Sequence, residues 1–128
     1  MLKRIVIFSS ILFFSFIGNL EAQIASYVKE KVRIEAKRVI TQWETCHFKG
    51  NVRISDKNEY TANGKDYIVV EGTVDYYSDN CGSVTARYNA KFKIIWDELE
   101  CIRICVNMPY CLMEDVILNY DKECKYYD

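Results

Sequence analysis

Proline occurs once in this chain, at Pro109, and histidine once, at His47. Nucleophilic catalysis asks for a serine or cysteine beside a histidine oriented by a carboxylate. His47 is the sole candidate base, and beside Cys46 at a strand start it reads as a structural side chain. No Cys-x2-Cys pair occurs, and one histidine is too few for the usual zinc sites. Gly50, Gly64, Gly72 and Gly82 are too scattered to cradle a phosphate, and no Asn-x-Ser/Thr triplet invites N-glycosylation. Carboxylates are paired only as neighbours, at Asp97/Glu98 and Glu114/Asp115, where they suit solvated turns. Glu71 and Asp75 share a strand face but stand too far apart to act on one group. A net charge of −1 with interspersed signs creates no field for nucleic acid or anionic lipid. The chain is therefore expected to have no catalytic residue, no metal site and no cofactor.

One long apolar run is present. Lys3 and Arg4 precede Ile5 to Ile17, and Ala22 stands at a cleavable position, the order of a secretory signal peptide. The run of about 13 residues falls short of the roughly 20 that span a bilayer as a helix. Cleavage after Ala22 is expected to leave residues 23–128 as one secreted, extracellular domain without a membrane anchor. It lowers the basic count from 17 to 15 and the acidic count from 18 to 17, for a net charge near −2. Half of the chain is hydrophobic, tyrosine alone supplying 10 residues, enough for a real core.

The six cysteines are Cys46, Cys81, Cys101, Cys105, Cys111 and Cys124. An even number in a small secreted chain predicts three disulfides. Cys101 and Cys105 are four apart on one strand face, about 13 Å, too far to bridge each other. Cys46 and Cys81 fall at the same end of an antiparallel pair, so Cys46–Cys81 is the natural bridge. Cys101, Cys105 and Cys111 then compete for Cys124 and for one another.

Apolar residues at Ile24, Val28, Val32, Ala36, Val39, Ile40 and Trp43 follow the spacing of three and four that makes one stripe of a helix. After Thr45 the period becomes two. Phe48, Gly50, Val52 and Ile54 begin one strand, and Ile68, Val70, Gly72, Val74 and Tyr76 form a second. Val84, Ala86, Tyr88, Ala90, Phe92, Ile94 and Trp96 mark a third; Ile102, Ile104, Val106 and Met108 mark a fourth. Turn residues separate them: Asp56 to Asp66 with Asn63-Gly64, Ser78 to Ser83, and Asp97-Glu98. The expected fold is α+β, one N-terminal amphipathic helix packed on a four-stranded antiparallel meander. Cys111 to Asp128 is expected as a disulfide-tethered C-terminal tail with a helical turn near Met113 to Tyr120. Tyr76, Tyr88, Phe92 and Trp96 share the inward parity. They are expected as core, with Trp96 beneath the helix, or else as the lining of an apolar ligand pocket.

The segments Val70-Glu71-Gly72-Thr73-Val74-Asp75-Tyr76 and Ala90-Lys91-Phe92-Lys93-Ile94-Ile95-Trp96-Asp97, following one helix, resemble the cystatin-like and nuclear-transport-factor-2-like folds. In both, a sheet wraps around an N-terminal helix. The resemblance covers about Ile24 to Met108 and implies a secreted, non-enzymatic binding protein whose partner is a protein or a small apolar ligand. The alternative it implies is a cystatin-type protease inhibitor, which acts through a Gln-Val-Val-Ala-Gly-like hairpin tip and a Pro-Trp loop. Ile68-Val69-Val70-Glu71-Gly72 has the two valines and the glycine without the glutamine, and Pro109-Tyr110 stands where Pro-Trp is sought.

Overall fold

The computed structural model describes residues 17–113 and 116–127, with side-chain surroundings from residue 25 onward. Residues 1–16 of the expected leader lie outside that set. Among the described residues, one helix, α1 (Ile17–Ile40), precedes five strands: β1 (Cys46–Ala62), β2 (Lys65–Ser78), β3 (Gly82–Ile95), β4 (Glu98–Met113) and β5 (Val116–Tyr126). Every neighbouring pair is antiparallel, and the sheet order follows the chain, β1-β2-β3-β4-β5.

The helix buries the stripe that its spacing predicts. Val28, Val32, Ala36, Val39 and Ile40 are fully buried against Ile68, Val70, Val74, Phe92, Ile104 and Val106 of the sheet. Each buried valine, isoleucine or phenylalanine among them contributes roughly 1.5–3 kcal/mol of hydrophobic stabilisation. Lys37 and Arg38 in the last turn complement the helix dipole. The helix stops at Ile40, and the backbone turns through Thr41 to Thr45. Trp43 thus leaves the stripe and is 41% exposed.

Three expectations are corrected. The sheet has five strands, because the expected tail pairs with β4 along Arg103↔Tyr126 to Met113↔Val116. A strand there satisfies its backbone groups on one side, which a tail with a single helical turn would not. The expected loop Asp56 to Asp66 is mostly strand, and only Asn63 and Gly64 form the turn, both at positive φ (54° and 75°). Positive φ at both positions is what a tight two-residue hairpin demands. The rings of Tyr60 and Tyr67 stack 5.3 Å apart across this arm, and Thr61 donates a 2.7 Å hydrogen bond to Asp66.

The third correction is Trp96. Val84, Ala86, Tyr88, Ala90, Phe92 and Ile94 do face inward, but β3 ends at Ile95. Trp96 occupies the turn to β4 with φ +57° and is 78% exposed. Alternation assigns a face only while the strand continues.

Two places bring backbones close or change their phase. Gly72, buried in β2, sits where a Cβ would come within 1.8 Å of the Arg53 carbonyl oxygen. The neighbouring β1 bulge, between Ile54 and Asp56, presses its backbone onto that spot, so only glycine fits. In β4 a bulge at Ile102 interrupts the register between Lys91↔Arg103 and Phe92↔Cys101. One extra residue exchanges the faces. Leu99 and Cys101 therefore join the core, while Cys105 stands opposite Asn89 on the other face.

Candidate functional site

The bulge in β4 decides the cysteine chemistry. Two disulfides form, Cys81–Cys111 and Cys105–Cys124, with Cα separations of 5.2 and 4.0 Å. Cys46 and Cys101 are thiols. Three bridges are thus replaced by two, and Cys81 joins Cys111 instead of Cys46. Cys101 lies beneath the helix on the face away from Cys105 and Cys124, out of reach of both. Burial, followed by the Glu35 carboxylate, pushes its thiol up to about 12.

The remaining four inward candidates are divided. Tyr76, Tyr88 and Phe92 are packed in the core, and the Tyr88 hydroxyl donates a 2.9 Å hydrogen bond to the Arg53 carbonyl. Burial raises the phenols of Tyr76 and Tyr88 well above the ordinary tyrosine range. Trp96 is not brought near them; it flanks a shallow surface depression with Gly64, Asp66 and Lys93.

A cleft of about 210 Å³ opens instead where the α1–β1 connection, the β2–β3 turn and the end of β4 meet. Trp43, Cys46, Cys81, Met108, Tyr110 and Cys111 line it. The Ser78 hydroxyl accepts the Asn80 and Cys81 amides at 3.3 and 3.1 Å, shaping the tight turn that presents Cys81. The Asp79 amide donates to the Thr45 carbonyl at 2.8 Å, holding that turn against the residue before Cys46. Across the mouth, the Tyr110 hydroxyl donates to Glu123 at 3.1 Å. Partial desolvation and that carboxylate push the Tyr110 phenol upward.

Cys46 and His47 are consecutive in β1, so their side chains leave on opposite faces. Cys46 packs against the core, whereas His47 bonds Asp79 at 3.1 Å and lies 6.0 Å from the Tyr77 ring, on the exposed side. The two do not form a nucleophile–base pair. Burial raises the Cys46 thiol above its ordinary range; Asp79 adds to this and a hydrogen bond with Thr45 opposes it. Among the described residues, no three His, Cys, Asp or Glu side chains are grouped to hold a metal ion.

Beyond the cleft, the β4–β5 hairpin carries an uncovered apolar surface. Leu112, Met113, Val116, Ile117, Leu118 and Tyr120 are exposed, Leu112 and Leu118 at 66% and 65%. Contiguous exposed apolar patches are unusual on soluble proteins and mark interaction surfaces. Sequence reasoning missed this one by treating the segment as a tail. The signal was present: Leu112-Met113 and Val116-Ile117-Leu118 flank two acidic residues, a hairpin pattern with a polar turn.

Comparison with protein-family models, with curated proteins and with solved structures found no match to this chain.

Proposed function

We propose that this chain is a secreted, non-enzymatic binding protein that takes up an extended segment of a protein partner along the outer edge of β5. The observation that carries this reading is the exposed apolar hairpin on an edge strand. Among the described residues, β5 has a sheet neighbour only on the β4 side, which leaves a row of backbone donors and acceptors for an added strand. Val116, Ile117, Leu118 and Tyr120 are all exposed along the start of that strand, where register shifts against β4 leave Leu118 without an opposite residue, so a partner strand gains apolar contacts there. The adjacent cleft, with Trp43 and Tyr110, offers a place for one anchoring side chain. Two disulfides suit an oxidising, extracellular setting. A small apolar ligand is less well served, since Tyr76, Tyr88 and Phe92 fill the space under the helix.

Protease inhibition remains the second reading because Pro109 and Tyr110 line the cleft. Against it, Ile68 to Gly72 lies in the middle of β2 with Ile68, Val70 and Gly72 buried, away from any hairpin tip that could enter a protease cleft.

A library of displayed peptides separates the two. Selection on the folded protein should enrich extended, alternating apolar sequences, and Leu118→Asp should weaken their binding at least tenfold with an unchanged melting temperature. Peptides that bind the variant equally well, or no enrichment at all, would refute strand addition. Nanomolar inhibition of any member of a panel of cysteine and serine proteases would favour the second reading.

A further inference from the structure

Three of the six cysteines line one cleft and hold between them a disulfide and a thiol: Cys81–Cys111 and Cys46. Cys46 pairs with Ser78, and Ser78 pairs with Gly82, the residue after Cys81. Two strand spacings, roughly 10 Å, therefore separate the Cys46 backbone from Gly82 beside Cys81. The turn carrying Cys81 is already tied to the residue before Cys46 by the bond from the Asp79 amide to the Thr45 carbonyl. A disulfide needs Cα atoms within about 7 Å, so a modest folding of that turn toward β1 suffices for a second pairing. Cys101 is excluded from this chemistry. It is buried opposite Phe92, ten residues and roughly 33 Å along β4 from Cys111.

We propose that the cleft is a thiol–disulfide exchange site in which Cys46 and Cys111 alternate as partners of Cys81. The Cys46 thiolate attacks the Cys81 sulfur, the Cys46–Cys81 bond forms, and the Cys81–Cys111 bond breaks. The electron pair leaves on the Cys111 sulfur, which takes up the proton that Cys46 gave to solvent. One disulfide and one thiol stand on each side of the step, so no oxidant or reductant is consumed. The consequence is mechanical. Cys81–Cys111 fastens β4, at the base of the apolar hairpin, to the β2–β3 turn, and exchange leaves that hairpin held by strand pairing and by Cys105–Cys124. The inference rests on the three cysteines and is independent of what the hairpin binds.

The groups facing Cys46 slow the step near neutral pH. Asp79 from the turn, Tyr76 from β2, Tyr110 from β4 and Glu123 from β5 are acidic or neutral, and His47 points to the other face, bonded to Asp79. Only the thiolate is nucleophilic, so the rate should rise roughly tenfold per pH unit below the titration of Cys46.

The test is disulfide mapping of the oxidatively folded full chain. Aliquots held at pH 6 and pH 9 without reductant are acid-quenched, labelled with N-ethylmaleimide and mapped as non-reduced peptides by mass spectrometry. The expected result is Cys81–Cys111 with labelled Cys46 at pH 6. A Cys46–Cys81 peptide with labelled Cys111 should grow at pH 9, while Cys105–Cys124 stays constant. The chain carrying Cys46→Ser should show no new linkage, and Cys111→Ser, refolded with oxidant, should join Cys46 to Cys81 and lose nearly all Cys46 labelling. A single unchanging pairing at both pH values overturns the proposal. So does scrambling that draws in Cys105 and Cys124 equally, since that reports general unfolding.

Discussion

Trp96 is the residue whose environment departs most from its chemistry. A large aromatic side chain stands 78% exposed at a hairpin turn, on a backbone with φ +57°. For a residue with a Cβ, the left-handed region costs roughly 1–2 kcal/mol, and glycine escapes that cost. Trp96→Gly is therefore expected to raise the melting temperature by a few degrees, and Trp96→Ala to leave it within about two degrees of wild type, because no packing is lost. Differential scanning calorimetry of the two variants decides it. A loss of about 3–5 kcal/mol in Trp96→Ala, the usual cost of emptying a core aromatic site, would return Trp96 to the interior. Gly72 is the opposite case, a residue whose small size is dictated by a neighbour. The β1 backbone occupies the space of its missing side chain.

At the scale of elements, the least legible contact joins the C-terminal half of α1 to the residue after β5. Glu35 lies on α1 among charged neighbours and reads from spacing as solvated, yet it is 8% exposed. Tyr127, just past β5, donates a 2.6 Å hydrogen bond to its carboxylate, and the Tyr127 amide donates to the Ile102 carbonyl at 2.8 Å. Arg38 reaches the same carboxylate from one helical turn away, at 3.1 Å. The chain end thus clamps the helix to β4. Tyr127→Phe keeps the ring and deletes the donor, leaving a buried carboxylate short of one bond. A hydrogen bond to a charged group is worth about 2 kcal/mol. Urea unfolding should show a loss of that size with little change in the m-value. A loss under about 0.5 kcal/mol would mean that Arg38 and solvent satisfy Glu35 unaided.

At the scale of the whole molecule, the outer face of the sheet is held by a polar network that crosses three strands. Arg53 of β1 donates to Asp75 of β2 through both terminal nitrogens, at 3.0 and 2.6 Å, and through Nε to Thr73 at 2.8 Å. Thr85 of β3 donates to the same carboxylate at 2.7 Å. The Arg53 bonds, and after them Thr85, lower the Asp75 carboxyl to about 2, from 3.8. A carboxylate more acidic in the folded state stabilises the fold above its unfolded pKa, and that stability is lost as pH falls through the folded value. The wild-type melting temperature should therefore exceed that of Asp75→Asn at pH 5, and the gap should close as pH falls from about 4 to 2. Thermal melts across that range provide the check. A gap still open below pH 2 would place the stabilisation elsewhere.

Periodicity alone determined the helix stripe from Val28 to Ile40 and the inward faces of β2 and β3, because burial on one side imprints a period of 3.6 or 2 on any chain. It also determined that Tyr76, Tyr88 and Phe92 point inward. What it could not carry across was any feature set by a break in that period. The bulge at Ile102 moves Cys101 to the inner face, the end of β3 turns Trp96 outward, and the pairing of residues 116–126 with β4 makes a strand of an expected tail. Disulfide partners follow from those breaks, since a bridge depends on which face and which end two cysteines share. The candidate site arises the same way. Trp43, Cys46, Cys81, Tyr110 and Glu123 come from three strands and two connections, and only the register of the sheet brings them to one cleft.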